Sequence, residues 1–107
     1  LSNRGSYIHY MNEVIELEKD NIESYMSHKH LVVVYSMKGC KACVKIKPTL
    51  YELDPKYKVV IADVIKYPRS TRFSKTPNMM SLPTVILFEK GYYVKELFTQ
   101  DLIEMKN

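Results

Sequence analysis

Apolar and polar residues alternate along this chain with two different periods, and the changes of period predict its elements. Between Glu13 and Glu18, Val14, Ile15 and Leu17 stand among glutamates, the pattern of a short edge strand. Asp20 followed by Glu23 has the spacing of a capping box, and Ile22, Tyr25 and Met26 come at helical intervals, so a short helix is predicted over 21–27. Leu31-Val32-Val33-Val34-Tyr35 is an unbroken apolar run, mostly β-branched, which predicts a strand buried on both faces. After the turn Ser36-Met37-Lys38-Gly39, a helix is predicted from Cys40 to Leu53 with Val44, Ile46, Leu50 and Leu53 as its apolar stripe. Pro48 falls inside it and cannot donate to the Val44 carbonyl, so a kink is expected there, and Asp54-Pro55 ends the helix.

Tyr57 to Ala62 reads as a second central strand. Asp63 to Ser81 has no sustained period; it predicts an irregular segment with a short helix near Ser70–Lys75, bracketed by Pro68 and Pro77. Thr84 to Glu89 and Tyr92 to Leu97 flank Lys90-Gly91 as a hairpin. Thr99 is the expected cap of a last short helix carrying Leu102, Ile103 and Met105. The order β-α-β-α-β-α-β-β-α needs crossover, hence parallel, pairing early and antiparallel pairing at the end. The class is therefore α/β, with a mixed central sheet flanked by helices on both faces. Residues 13–107 form one domain in this reading, and residues 1–12, without a period, form an N-terminal extension or tag remnant.

Composition narrows the function. The chain has 107 residues, enough for one core, with 46% hydrophobic and 26% charged residues, the balance of a soluble domain. No apolar run has the roughly 18 residues that a membrane helix needs, and Arg4 to Tyr10 is too mixed for a signal-peptide core. The net charge of +4 favours acidic partners, and Lys38, Lys41, Lys45 and Lys47 concentrate part of it. Aromatic residues do not interleave with these lysines at base-stacking spacing, so neither a nucleic acid nor a membrane is an expected partner. The Lys-, Asn- and Tyr-rich, Trp-free mixture is one that an AT-rich genome encodes, such as that of a large DNA virus or a protozoan.

The chemistry lies in the two cysteines, Cys40 and Cys43, separated by Lys41-Ala42. Cross-linking them closes a very small loop and stabilises little, so the pair reads as chemical rather than architectural. A Cys-x-x-C pair at a strand-to-helix junction within a βαβ pattern is a redox signal. At the helix start, unpaired N–H groups and partial positive charge favour a thiolate at Cys40, and Lys38 and Lys41 add to it. Cys43 sits about one turn later, within reach of Cys40 but deeper. Cys40 is thus the expected attacking cysteine and Cys43 the resolving one.

Four segments resemble the thioredoxin superfamily, most closely the catalytic domains of protein disulfide isomerases. They are Val14-Ile15-Glu16-Leu17 before Asp20-Asn21, the run from Ser27 to Ser36, the helix from Cys43 to Leu53 with its proline five residues after the second cysteine, and Leu82-Pro83-Thr84 leading into Val85–Gly91. The resemblance covers roughly residues 13–98. It implies a thioredoxin fold and a protein disulfide oxidoreductase or isomerase that needs no cofactor and no metal. It implies protein thiols and disulfides as substrates, a recycling reductase or oxidase, and a monomer, in either a secretory lumen or the cytoplasm. It also implies a cis peptide at Leu82-Pro83, facing the cysteines, whose exposed backbone edge at Leu82 can pair with an extended substrate.

The chain departs from the family at several positions. Val34 stands six residues before Cys40, where members usually bury an acid that moves the proton of the resolving thiol; its absence should slow the attack by Cys43. Gly39 replaces the usual aromatic, Lys41-Ala42 the usual Gly-Pro or Gly-His, and Leu97-Phe98 a glycine after the last strand. Lys41 is expected to favour the reduced form and so push the couple toward oxidant or isomerase behaviour. Three alternatives compete. A glutathione-dependent glutaredoxin is suggested by Val33-Val34-Tyr35-Ser36, but Tyr92 to Phe98 lacks that branch's Gly-Gly step. A non-catalytic binding or chaperone module would keep the fold and make little use of the cysteines. A zinc site built with His28 and His30 would need ligands from opposite ends of one strand.

Overall fold

The computed structural model describes residues 11–74 and 81–107. Its five strands are β1 (Val14–Glu16), β2 (Leu31–Ser36), β3 (Lys58–Asp63), β4 (Thr84–Glu89) and β5 (Tyr92–Leu97). Its two α-helices are α1 (Lys41–Tyr51) and α2 (Thr99–Glu104). The strands lie in the order β1-β3-β2-β4-β5. β3 runs parallel to both β1 and β2, whereas β4 is antiparallel to β2 and to β5. This is the mixed α/β sheet of a thioredoxin fold.

The long apolar run became the central strand. Leu31 to Tyr35 are buried, because β2 is flanked by a strand on each side and packed on each face. Alternation along the strands divides the core in two. On one face Val33, Tyr35, Val60, Ala62, Ile86 and Phe88 pack with Leu17, Ile22 and Tyr67. On the other, Val32, Val34, Val59, Ile61 and Val85 pack with Leu50, Leu53 and Leu102, so α1 and α2 share that face. Lys90 (φ 51°) and Gly91 (φ 86°) both adopt positive φ, as a two-residue hairpin turn that follows the strand twist requires.

Local details depart from the sequence reading. The first helical segment is a 3-10 turn over Ile22–Tyr25 that starts at Asn21, and no side chain caps it. The capping box expected of Asp20 and Glu23 does not form, because the N-cap residue is Asn21, one position on from Asp20. Phe98, not Thr99, is the N-cap residue of α2, and the Asp101 carboxylate accepts the Phe98 N–H at 2.7 Å. The expected stripe holds at Ile46, Leu50 and Leu53 but not at Val44. Val44 is 66% exposed, because 100° per residue sets it on the side of the helix away from Ile46 and Leu50, and Cys43 takes the inward place. α1 also ends at Tyr51, and Leu53 is taken up by a bridge to Lys106. Between β3 and β4 a 3-10 segment, Pro68–Phe73, begins where proline's fixed φ and missing N–H cost nothing. Lys75 and Pro77, the expected end of that segment, and residues 1–10 of the extension expected over 1–12 lie outside the described residues.

Candidate functional site

Gly39, at φ 86°, reverses the chain between β2 and α1 in a conformation that residues with a Cβ rarely adopt. Cys40 follows as the N-cap residue of α1. Its sulfur accepts the backbone N–H of Cys43 at 3.2 Å, in the place usually filled by a capping oxygen, and its carbonyl accepts the Val44 N–H at 3.3 Å. Cys40 and Cys43 are joined as a disulfide, with Cα atoms 5.3 Å apart. Cys43 is buried at 6% exposure, whereas Cys40 is partly exposed.

The Leu82–Pro83 peptide is cis, and the Leu82 carbonyl oxygen lies 3.8 Å from Cys40 Sγ. The segment before β4 is thus brought against the first cysteine, although 42 residues separate them. Lys41 is the exposed first residue of α1, and Lys38 lines the near side of a cavity next to the cysteines. Neither has an ion-pair partner among the described residues. The cavity is about 330 Å³ and extends from Cys40 and Cys43 down to Val34 and Ile61. Val34 is 1% exposed and pairs in register with Ile61 on β3, so the position beneath the cysteines is apolar on both strands. On the opposite side of α1, a groove of about 570 Å³ runs between Ala42, Pro83 and Phe98.

His28 and His30 lie elsewhere. His30 precedes β2 at the end away from Cys40, and its Nδ1 is 2.9 Å from Glu89 Oε2. A zinc site uniting it with the cysteines is ruled out by the length of β2.

Two features escaped the sequence reading. Asp63, at the end of β3, accepts the N–H of Ile65 at 2.9 Å and of Lys66 at 3.0 Å. Backbone bonds from Lys66, then Ile65 and Lys38, hold its carboxyl below the ordinary value, so this side chain ties the loop before Cys40 to the end of β3. An aspartate at a strand end before Val-Ile-Lys was a legible turn signal. The second feature is an ion pair at the cavity rim, Lys47 Nζ to Glu16 Oε2 at 3.2 Å, which joins α1 to β1 across 31 residues and left no local trace.

Among the described residues, no helix is long and apolar enough to cross a membrane. Comparison with known proteins agrees with the geometry. A putative thioredoxin H10 of Arabidopsis thaliana is 25% identical over 92% of this chain, which spans 64% of that protein's length. A thioredoxin of Peptoclostridium acidaminophilum is 27% identical over 82% of this chain and 83% of its own. The crystal structure of thioredoxin NaTrxh from Nicotiana alata shares the fold with a TM-score of 0.72 at 16% identity, covering 91% of this chain and 96% of that one. The family pattern described as Thioredoxin matches residues 13–103, a span that holds the whole sheet and both cysteines; the chain belongs to the thioredoxin family.

Proposed function

We propose that this protein exchanges disulfides with protein substrates through Cys40 and Cys43. The observation that carries the reading is the asymmetry of the pair: a partly exposed sulfur at a helix N-cap, accepting a backbone N–H, beside a buried sulfur one turn on. In the reduced protein, helix N–H groups favour negative charge on Cys40. Its thiolate attacks a substrate disulfide, forming a Cys40–substrate bond and releasing the other substrate sulfur as a thiol. Cys43 then attacks Cys40 Sγ, expels the second substrate sulfur and leaves the Cys40–Cys43 disulfide. Two electrons have passed to the substrate, and a separate reductase restores the dithiol; run in reverse with an oxidase, the same steps insert disulfides. The backbone at Leu82, next to Cys40 Sγ, supports a docking edge for extended substrate.

Isomerisation, the finer activity that the resemblance implies, is this exchange performed on wrongly paired substrates. The two relatives named above are described as a putative thioredoxin and a thioredoxin, which supports plain disulfide exchange as the primary activity.

The test is capture. Cys43→Ser should accumulate mixed disulfides between Cys40 and protein substrates, and Cys40→Ser should accumulate none. A Cys40→Ser, Cys43→Ser double variant with full biological activity would overturn the reading in favour of a binding module.

A further inference from the structure

Resolution demands that Cys43 lose a proton, and burial in apolar surroundings opposes formation of its anion. Some group must take that proton. Only two carboxylates among the described residues line the cavity against Cys43, Glu16 and Asp63. Asp63 is committed to backbone N–H groups that stabilise its charge, which makes it a poor acceptor. Among the described residues, the side-chain partner of Glu16 is Lys47.

The sheet register shows how Glu16 gets there. Glu16 pairs with Ile61, and Ile61 with Val34, so the three side chains form one row across β1, β3 and β2. Directly paired residues point to the same face. Val34 and Ile61 pack on the α1 face, so Glu16 lies on that face too, at the open end of the row. α1 supplies Cys43 and Lys47 from above. The cavity between is large and polar enough at its rim to hold solvent in hydrogen-bonded contact with both ends.

We propose that Glu16, positioned by Lys47, accepts the Cys43 proton through this cavity during resolution; the inference rests on the exchange reading given above. In the step, the Cys43 S–H proton passes through cavity solvent to the Glu16 carboxylate. Cys43 sulfur bonds to Cys40 Sγ, the Cys40–substrate bond breaks, and its electron pair leaves on the substrate sulfur, which takes a proton from bulk solvent. Glu16, with its side chain 68% exposed, returns its proton to bulk solvent. The other charged or titratable groups at the cavity are Lys38, Asp63, Lys66 and Tyr67.

The experiment mixes reduced protein with one equivalent of the chromogenic disulfide dithiobis(nitrobenzoate). The first thionitrobenzoate is released by the attack of Cys40 and the second by resolution. Glu16→Gln should leave the first phase unchanged and slow the second by about a hundredfold near neutral pH, the low end of a general-base contribution. The deficit should disappear at alkaline pH, where hydroxide removes the proton, and Glu16→Asp should recover part of the rate. An unchanged second phase with an unchanged pH profile in Glu16→Gln overturns the role of Glu16. A wild-type protein that releases no second equivalent overturns instead the exchange reading beneath it.

Discussion

Cys43 donates its backbone N–H to Cys40 Sγ at 3.2 Å, so in the exchange proposed above the cysteine assigned to attack second would help to hold charge on the one assigned to attack first. With Cys40 partly exposed and Cys43 at 6%, the reduced protein should be alkylated first at Cys40. The preference is expected at neutral pH, because the sulfur at the helix start is both the more accessible and the better placed to be a thiolate. Peptide mapping after brief iodoacetamide treatment measures it, and equal modification of the two cysteines would contradict the assigned roles.

Tyr35 anchors the segment after β3 to the central strand, because its hydroxyl donates to the Ser70 carbonyl at 2.8 Å inside the core. Burial pushes that hydroxyl well above the ordinary tyrosine range, so it stays a neutral donor. Tyr35→Phe keeps the ring and removes the donor. Leaving a buried carbonyl without its partner should cost about 1–3 kcal/mol, read as a lower urea midpoint at unchanged slope.

Asp63 predicts an acid-sensitive loop. Its folded-state carboxyl lies below the ordinary 3.8, so its contribution is complete above that value and is lost as pH falls through the depressed one. Wild-type stability should therefore decline more steeply below about pH 4 than that of Asp63→Asn, which has no proton to take up. Denaturant midpoints from pH 2 to pH 7 test this, and parallel curves would show that Asp63 does not contribute.

Val34 is the position at which chemistry and packing oppose each other. Val34→Glu would place a carboxyl in the cavity beneath Cys43, in a row now filled by Val34 and Ile61. Burying it without a partner should cost about 2–4 kcal/mol near neutral pH. Burial raises such a pKa, so the penalty should shrink as pH falls and the group becomes neutral. The same variant should quicken the second phase of thionitrobenzoate release; a stable variant with unaltered kinetics would mean that residue 34 does not face the reaction.

Much of this was legible in the sequence wherever one local pattern had one physical meaning. The apolar run over 31–35 admitted only a strand covered on both faces, and it is the centre of the sheet. Cys-x-x-C before Pro48 gave the strand-to-helix junction and which of the two cysteines is the more buried. Where several residues could serve, the reading erred. Val44 is as apolar as Cys43, but at 100° per residue only Cys43 shares a face with Ile46 and Leu50. Asp20 looked like a cap, but the turn begins at Asn21, and a 3-10 segment offers a different set of N–H groups. Glu16 and Lys47 were anonymous surface charges until the parallel pairing of β1 with β3 set them beside the same cavity.

The strand order has a consequence for how this chain is made. Leu31–Ser36 needs Lys58–Asp63 on one side and Thr84–Glu89 on the other. During synthesis, the most apolar segment of the protein therefore leaves the ribosome long before its second neighbour exists, with a bare edge of N–H and C=O groups. A nascent chain stalled between Asp63 and Thr84 would carry that edge exposed, a target for chaperones and a seed for aggregation.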